Sequence, residues 1–166
     1  MNQWISAYME SVIALPKMLG DMVGMCGFAV MLGLGRLAYG IFGDRFPLQK
    51  MLIFGSFAAA ACYLLVAVSP FDWLTLAAGA LCGFCTSLLW PGTLVAASSK
   101  LPTAGASLFA LLAAAGDFGA AAGPSAMGGI AEIGGLPLAF VISALIPLLC
   151  GVCHVVMKRL KDQPNG

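Results

Sequence analysis

Long apolar runs separated by short polar or turn-rich links are the dominant pattern of this sequence. Five runs approach the ~20 residues that a helix needs to cross ~30 Å of hydrocarbon. They cover residues 22–42, 51–69, 73–98, 105–131 and 136–157. Because the links between them are short, neighbouring helices are predicted to run antiparallel. The pattern therefore predicts an all-α fold, a polytopic transmembrane helical bundle with five full spans.

The apolar stretch at residues 3–15 is different, because it has only about half the length of a crossing helix. Pro16 follows it and interrupts any continuation. We interpret this stretch as the end of a span whose beginning is missing. The sequence therefore predicts a partial N-terminal helix and a chain that is a fragment or begins at an unusual gene start.

The composition agrees with a location in the lipid bilayer. Hydrophobic residues make up 61% of the chain and charged residues only 9%, whereas a soluble domain carries about 25% charged residues. The net charge of +1 provides no basic stripe that could neutralise phosphates, so we expect no nucleic-acid partner. The chain is predicted to be a multi-pass protein of the cell membrane.

Basic residues are distributed unequally between the two sides of the predicted membrane. If the spans alternate in direction, only Lys17 of the eight basic residues falls on one side. The other side carries Arg36, Arg45, Lys50, Lys100, Lys158, Arg159 and Lys161. Since positive charge marks the cytoplasmic side, we expect a cytoplasmic C-terminus.

The cysteines and the only histidine do not predict a cofactor. Cys150-x2-Cys153-His154 has the spacing of a c-type haem attachment site, and Cys82-x2-Cys85 could complete a four-thiolate zinc site with it. Both pairs lie inside apolar runs, where ionised thiols would be costly. No catalytic constellation surrounds His154. We therefore expect no metal, no cofactor and no enzymatic activity.

The motif Gly35-Arg36-x3-Gly40-x3-Asp44-Arg45 closes one span and enters a basic link. Arg36, Gly40 and Asp44 recur every fourth residue and so share one helical face. This motif resembles the cytoplasmic-loop signature of the major facilitator superfamily, in the version that joins helices eight and nine. The sequence departs from that signature after Arg45, where the family usually has Gly and further basic residues.

The resemblance implies the C-terminal half of such a transporter, with helices seven to twelve and the first of them incomplete. It also implies secondary active transport of a small solute by alternating access, with a site near the midplane between two halves. The implied partners are the bilayer, a sugar or organic anion coupled to proton or sodium, and the missing N-terminal half or a second copy of the chain. The implied cytoplasmic gate consists of Arg36, Gly40, Asp44 and Arg45.

Asp117 is the most informative candidate for the solute cavity, because an ionised carboxylate in mid-membrane costs a few kcal/mol. It must face a cavity, pair with a cation, be protonated or form a structural hydrogen bond. The resemblance places helices seven and ten along the cavity. The full set of candidates is Trp4, Tyr8, Glu10, Ser11, Thr86, Trp90, Thr93 and Asp117. The alternative for the aromatic members is a belt at the membrane surface.

Small residues and prolines complete the prediction. Three pairs, Gly20-x3-Gly24, Gly79-x3-Gly83 and Gly119-x3-Gly123, are typical of close helix contacts in lipid. Pro91 and Pro124 lie within spans and predict kinks.

Two other classes of function stay open, namely an assembly subunit or scaffold without transport and a redox protein built on the cysteines.

Overall fold

The computed structural model of this chain describes residues 2–12, 14, 18, 20–101, 103 and 105–162. These residues are helical apart from short links and contain no strand, which confirms the all-α transmembrane bundle. The helices are α1 (Asn2–Ser11), α2 (Gly27–Phe42), α3 (Leu48–Val68), α4 (Asp72–Thr86), α5 (Leu89–Lys100), α6 (Gly105–Ser143) and α7 (Leu145–Asp162). A π-helical segment, Gly20–Cys26, leads into α2, and a 3-10 turn, Gly43–Arg45, follows it.

Within the part of the chain that the structure describes, four helical stretches are long and apolar enough to cross a membrane, namely Gly20–Phe42, Leu48–Val68, Asp72–Lys100 and Gly105–Arg159. The last has 55 residues and would be about 80 Å long as one straight helix, more than twice the hydrocarbon thickness. Gly135 interrupts it with φ 79° and ψ 167°, a conformation that an L side chain rarely adopts. We therefore expect two crossings here, joined at Gly135.

Helices α3 and α4 form the centre of the bundle. Helix α4 packs against α2 and α3, and α3 also packs against α5, α6 and α7. Gly83 lies directly against the backbone carbonyl of Phe28 in α2. On the other side, a Cβ atom added to Gly55 of α3 would lie 2.6 Å from the Cys85 carbonyl oxygen. Side chains cannot occupy such short distances, so glycine at these positions is what allows the three backbones to approach.

The predicted small-residue contacts are confirmed for two of the three pairs. A Cβ atom on Gly20 would lie 3.2 Å from Met9 Cβ, and one on Gly24 would lie 3.3 Å from Ile5 Cγ2. A Cβ atom on Gly79 would lie 3.1 Å from Ile5 Cδ1, and Gly83 lies still closer to the Phe28 carbonyl. In contrast, no described heavy atom lies within 4 Å of a Cβ at Gly119 or Gly123. That pair therefore lies on an open face of α6 and makes no helix contact within the described chain.

The short helix α1 is part of the bundle core. Ile5, Tyr8 and Met9 are fully or almost fully buried. The Tyr8 ring meets Phe140 of α6 edge to face, with centroids 5.0 Å apart and an interplanar angle of 79°. Aromatic pairs favour this geometry, so α1 and α6 are held together by ring contact as well as by apolar packing.

The stretch that contains α4 and α5 is interrupted at Ser87 and Leu88. Pro91 has no N–H group, so the carbonyl of Ser87, four residues earlier, loses its intrahelical hydrogen bond. Arg36 of α2 satisfies this carbonyl, because its Nε donates a hydrogen bond of 3.3 Å to Ser87 O. Gly35 allows α2 to come this close, since it lies directly against the Ser87 side chain. The break predicted at Pro91 is thus confirmed, with Arg36 as the partner of the exposed carbonyl.

Substitution of the interfacial glycines should separate close packing from helix propensity. Gly83→Ala places a methyl group against the Phe28 carbonyl and should lower the free energy of unfolding by about 1–3 kcal/mol. Gly119→Ala is the matched control in open space and should be neutral or slightly stabilising. Unfolding of the detergent-solubilised chain by added SDS, followed by circular dichroism, measures both. Equal effects of the two substitutions would contradict the packing described for α4.

A double-mutant cycle tests the bond between Arg36 and the Ser87 carbonyl. Arg36→Met removes the donor and should cost about 1–3 kcal/mol of unfolding free energy. In a Pro91→Ala background the introduced alanine supplies a backbone N–H that can reach Ser87 O, so the same substitution should cost less. The cycle cancels the effect of removing the charge itself, and we expect a coupling energy of at least ~0.5 kcal/mol. A coupling energy of zero would show that Arg36 does not support this break.

Candidate functional site

The side chain of Arg36 reaches the break between α4 and α5. Its partner Ser87 lies near the centre of the Asp72–Lys100 stretch, about 20 Å along the helix from either end. Arg36 itself belongs to the last two turns of α2, close to the α2–α3 link. Its assignment to a cytoplasmic gate therefore stays a prediction.

A cleft of about 310 Å³ places Arg36 beside Trp90. Tyr39 of α2 and Pro91 of α5 contribute to its walls. Trp90 is 46% exposed, so its indole ring presents a face to the open side of the bundle. A guanidinium and an indole ring in one cleft offer both a two-pronged hydrogen-bond donor and an aromatic stacking surface.

Trp90 also connects this cleft to the helix that carries Asp117. A Cβ atom added to Gly116 would lie 2.6 Å from Trp90 Cη2, so the indole packs directly on the α6 backbone. Asp117 is the next residue and is exposed. We call Arg36, Trp90 and Asp117, which lie on α2, α5 and α6, the central strip. Two opposite charges and an aromatic ring are thereby combined within apolar helices.

Thr86 and Thr93 lie on either side of Trp90 along the chain, and both hydroxyl protons are used inside their own helices. Thr86 Oγ1 donates to Cys82 O at 2.8 Å, and Thr93 Oγ1 donates to Leu89 O at 2.5 Å. Each oxygen keeps lone pairs for accepting a hydrogen bond. These two candidates can therefore accept a hydrogen bond from a solute but have no spare hydroxyl donor.

The candidates on α1 are separated from the central strip. Trp4 packs against Gly128, about 18 Å along α6 from the point that Trp90 contacts. Its indole Nε1 is buried and has no hydrogen-bond partner among the described residues. Glu10 and Ser11 are exposed at the end of α1, and Ser11 Oγ donates to Ala7 O at 2.6 Å. Tyr8 is buried in the bundle core, whereas Glu10 and Ser11 lie at the exposed end of α1.

The remaining residues of the gate motif lie near the α2–α3 link. A Cβ at Gly40 would have no described neighbour within 4 Å, whereas Gly35 lies against Ser87. The Arg45 guanidinium carbon lies 6.0 Å from the centroid of the Phe42 ring, within the range of a cation–π interaction. The backbone of Asp44 belongs to the 3-10 turn, whereas its side chain lies outside the described residues. The gate stays a prediction.

A polar pair between α1 and the π-helical segment was missed from the sequence. The hydroxyl of Ser6, which is 8% exposed, donates a hydrogen bond to the Asp21 carboxylate. Asp21 lies in the π-helix Gly20–Cys26, and π-helical turns often occur at functional sites. No periodic spacing connects these two residues, because they come from different segments. The only available signal was an acidic residue at the edge of an apolar run.

The cysteines lie in three separate places. Cys62 and Cys82 are buried in one small cluster, with Cys85 packed against it. Cys150 and Cys153 belong to α7, and Cys26 ends the π-helical segment. All six cysteines are unpaired thiols. Within the described part of the chain, no group of three or more His, Cys, Asp or Glu residues is close enough to hold a metal ion.

Comparison with known proteins identifies the family. No curated protein and no solved structure matches this chain. The family model described as Major Facilitator Superfamily matches residues 4–166, which is nearly the whole sequence. This match agrees with the helical bundle and with the motif at the α2–α3 link. The chain belongs to the Major Facilitator Superfamily.

Proposed function

We propose that this chain forms one half of a secondary transporter that moves a small solute by alternating access. Membership of the family supports a membrane transporter in general. Transporters of this architecture hold their solute near the midplane, between two bundles that rock against each other. The second bundle would be an N-terminal half or a second copy of the chain.

The central strip is the observation that carries this proposal. Arg36 and Asp117 are both exposed in the chain, although both lie within helices that are long and apolar enough to cross a membrane. A charged side chain at the centre of a span costs about 2.5–3.5 kcal/mol when it faces lipid. A surface that exposes such charges is suited to water, a solute or a second protein surface. We therefore assign it to the wall of an aqueous cavity.

The chemistry of the strip favours an organic anion over a sugar. Arg36 keeps further N–H groups beyond the Nε that bonds Ser87, and these match the paired oxygens of a carboxylate. Trp90 can stack on an apolar or aromatic part of the same solute. A sugar would call for several hydroxyl donors, but those of Thr86 and Thr93 are already bonded within their helices. Asp117 is the proposed site for the coupled proton or sodium ion.

Orientation and gating are further parts of the proposal. The excess of basic residues on one predicted side supports a multi-pass protein of the cell membrane with a cytoplasmic C-terminus. Arg45 and the Asp44 backbone lie in the turn between α2 and α3, which supports contact with another bundle at that surface. We propose that Gly40, Asp44 and Arg45, together with Arg36, form a gate that breaks when the transporter changes conformation.

Replacement of Asp117 by Asn tests the functional assignment in cells that express the complete transporter. Asp117→Asn should reduce proton- or sodium-driven uptake of an organic anion by about tenfold or more, a change of ~1.4 kcal/mol. Glu132→Gln is the matched control, since Glu132 is also exposed on α6 but lies beside the break at Gly135.

Surface expression of both variants is measured in parallel, so that uptake is compared per molecule. The proposal expects a loss only for Asp117→Asn. If Asp117→Asn is expressed normally and takes up solute at the level of the parent, Asp117 has no role in transport. An equal loss in both variants would show that α6 needs its acidic residues for a reason other than the cavity.

A further inference from the structure

A second and larger groove opens between α2 and α3 on the side of their connecting link. Both helices pack on α4, but they make little contact with each other. The space between them is about 650 Å³. Gly55 and Cys85, whose backbones touch, lie at its base. The groove is thus a direct consequence of the way α4 holds the two helices apart.

The body of the groove is apolar and rich in aromatic rings. Phe54 is 76% exposed and Phe46 is 56% exposed, so these rings are accessible from outside the bundle. The aromatic residues that line the groove are Tyr39, Phe42, Phe46, Phe54 and Phe84. Such a surface is suited to a hydrocarbon chain, which gains from contact with flat apolar faces.

The mouth of the groove carries two positive charges. Arg45 ends the 3-10 turn after α2, and Lys50 lies in the first turn of α3. Both are exposed and line the groove, and Arg45 is positioned beside the Phe42 ring. Among the lining side chains that the structure describes there is no carboxylate. Because this mouth lies at the link between two crossing helices, it is located at the membrane surface.

We propose that this groove binds one anionic phospholipid. The phosphate of the headgroup would contact Arg45 and Lys50, while one acyl chain would lie along Phe42, Phe54 and Phe84. Basic pockets between transmembrane helices at the membrane surface recognise lipid phosphates in this way. The volume falls within the range of about 300–1,000 Å³ that is usual for small-molecule sites. Arg45 is shared with the proposed gate, but neither Trp90 nor Asp117 lines this groove. Lipid binding can therefore be measured independently of transport.

The occupant is a lipid and not a soluble anion because charge and apolar surface occur together. Inorganic phosphate could contact Arg45 and Lys50 but would leave the aromatic lining exposed. A zwitterionic lipid could fill the apolar part but would bring its own positive charge to the two basic residues. Only an amphipathic anion complements both parts of the groove.

Native mass spectrometry of the purified full chain in detergent tests the proposal. Phosphatidylglycerol should bind as one tight equivalent, at least about tenfold more strongly than phosphatidylcholine. The double substitution Arg45→Gln with Lys50→Gln should abolish this preference. The matched control, Lys100→Gln with Arg159→Gln, removes two exposed cations outside the groove and should keep it.

A second variant tests the apolar part of the site. Ala38→Phe adds a ring inside the groove and should weaken phosphatidylglycerol binding although both cations remain. Excess inorganic phosphate should not displace the lipid from the parent chain. The proposal is overturned if the parent chain binds both lipids equally. It is also overturned if the control double variant loses the preference for phosphatidylglycerol as fully as the groove variant does, because the attraction would then be unspecific. If correctly folded Ala38→Phe binds phosphatidylglycerol as well as the parent does, the acyl chain does not lie in the groove and the proposal is wrong.

Discussion

The close approach of α4 to α2 and α3 is the constraint on which the rest of this structure depends. Lipid tails are as apolar as the helices themselves, so burial of apolar surface contributes little to helix association in a membrane. Van der Waals packing must do this instead, and it is strongest where backbones touch. Gly83 against Phe28 and Gly55 against Cys85 provide such contacts. They fix α4 between its two neighbours and leave α2 and α3 separated.

Two sites follow from this arrangement. Towards the α2–α3 link, the separation of the two helices leaves the aromatic groove with Arg45 and Lys50 at its mouth. In the last turns of α2, the contact of Gly35 with Ser87 brings Arg36 to the carbonyl that Pro91 leaves unbonded. The Arg36 side chain is therefore held at the helix break, whereas an unanchored arginine near the end of a span would bend towards the membrane surface. One residue both supports the helix break and supplies the cation of the central strip.

Much of the fold was predictable because a membrane imposes strong constraints on sequence. Long apolar runs had to be helices, and glycine pairs had to be helix contacts in most cases. Periodicity identifies the residues that share a face but does not identify the partner of that face. For this reason Gly79 and Gly119 had the same sequence signal, although only Gly79 is packed. The bond between Arg36 and Ser87 joins residues 51 positions apart, and Tyr8 entered the core because Phe140 lies opposite it. Neither contact produces a periodic pattern within one segment of the sequence, so neither could be predicted from it.

Solute flux through liposomes tests the claim that this chain supplies one wall of a cavity. The purified chain, reconstituted alone, should give no saturable uptake of organic anions or sugars above empty vesicles, since Arg36 and Asp117 would lack an opposing surface. Co-reconstitution with the second half of the transporter should restore uptake, and Asp117→Asn in the same preparation should remove it. Saturable, solute-specific uptake by the isolated chain would contradict the account and identify a working assembly of identical copies.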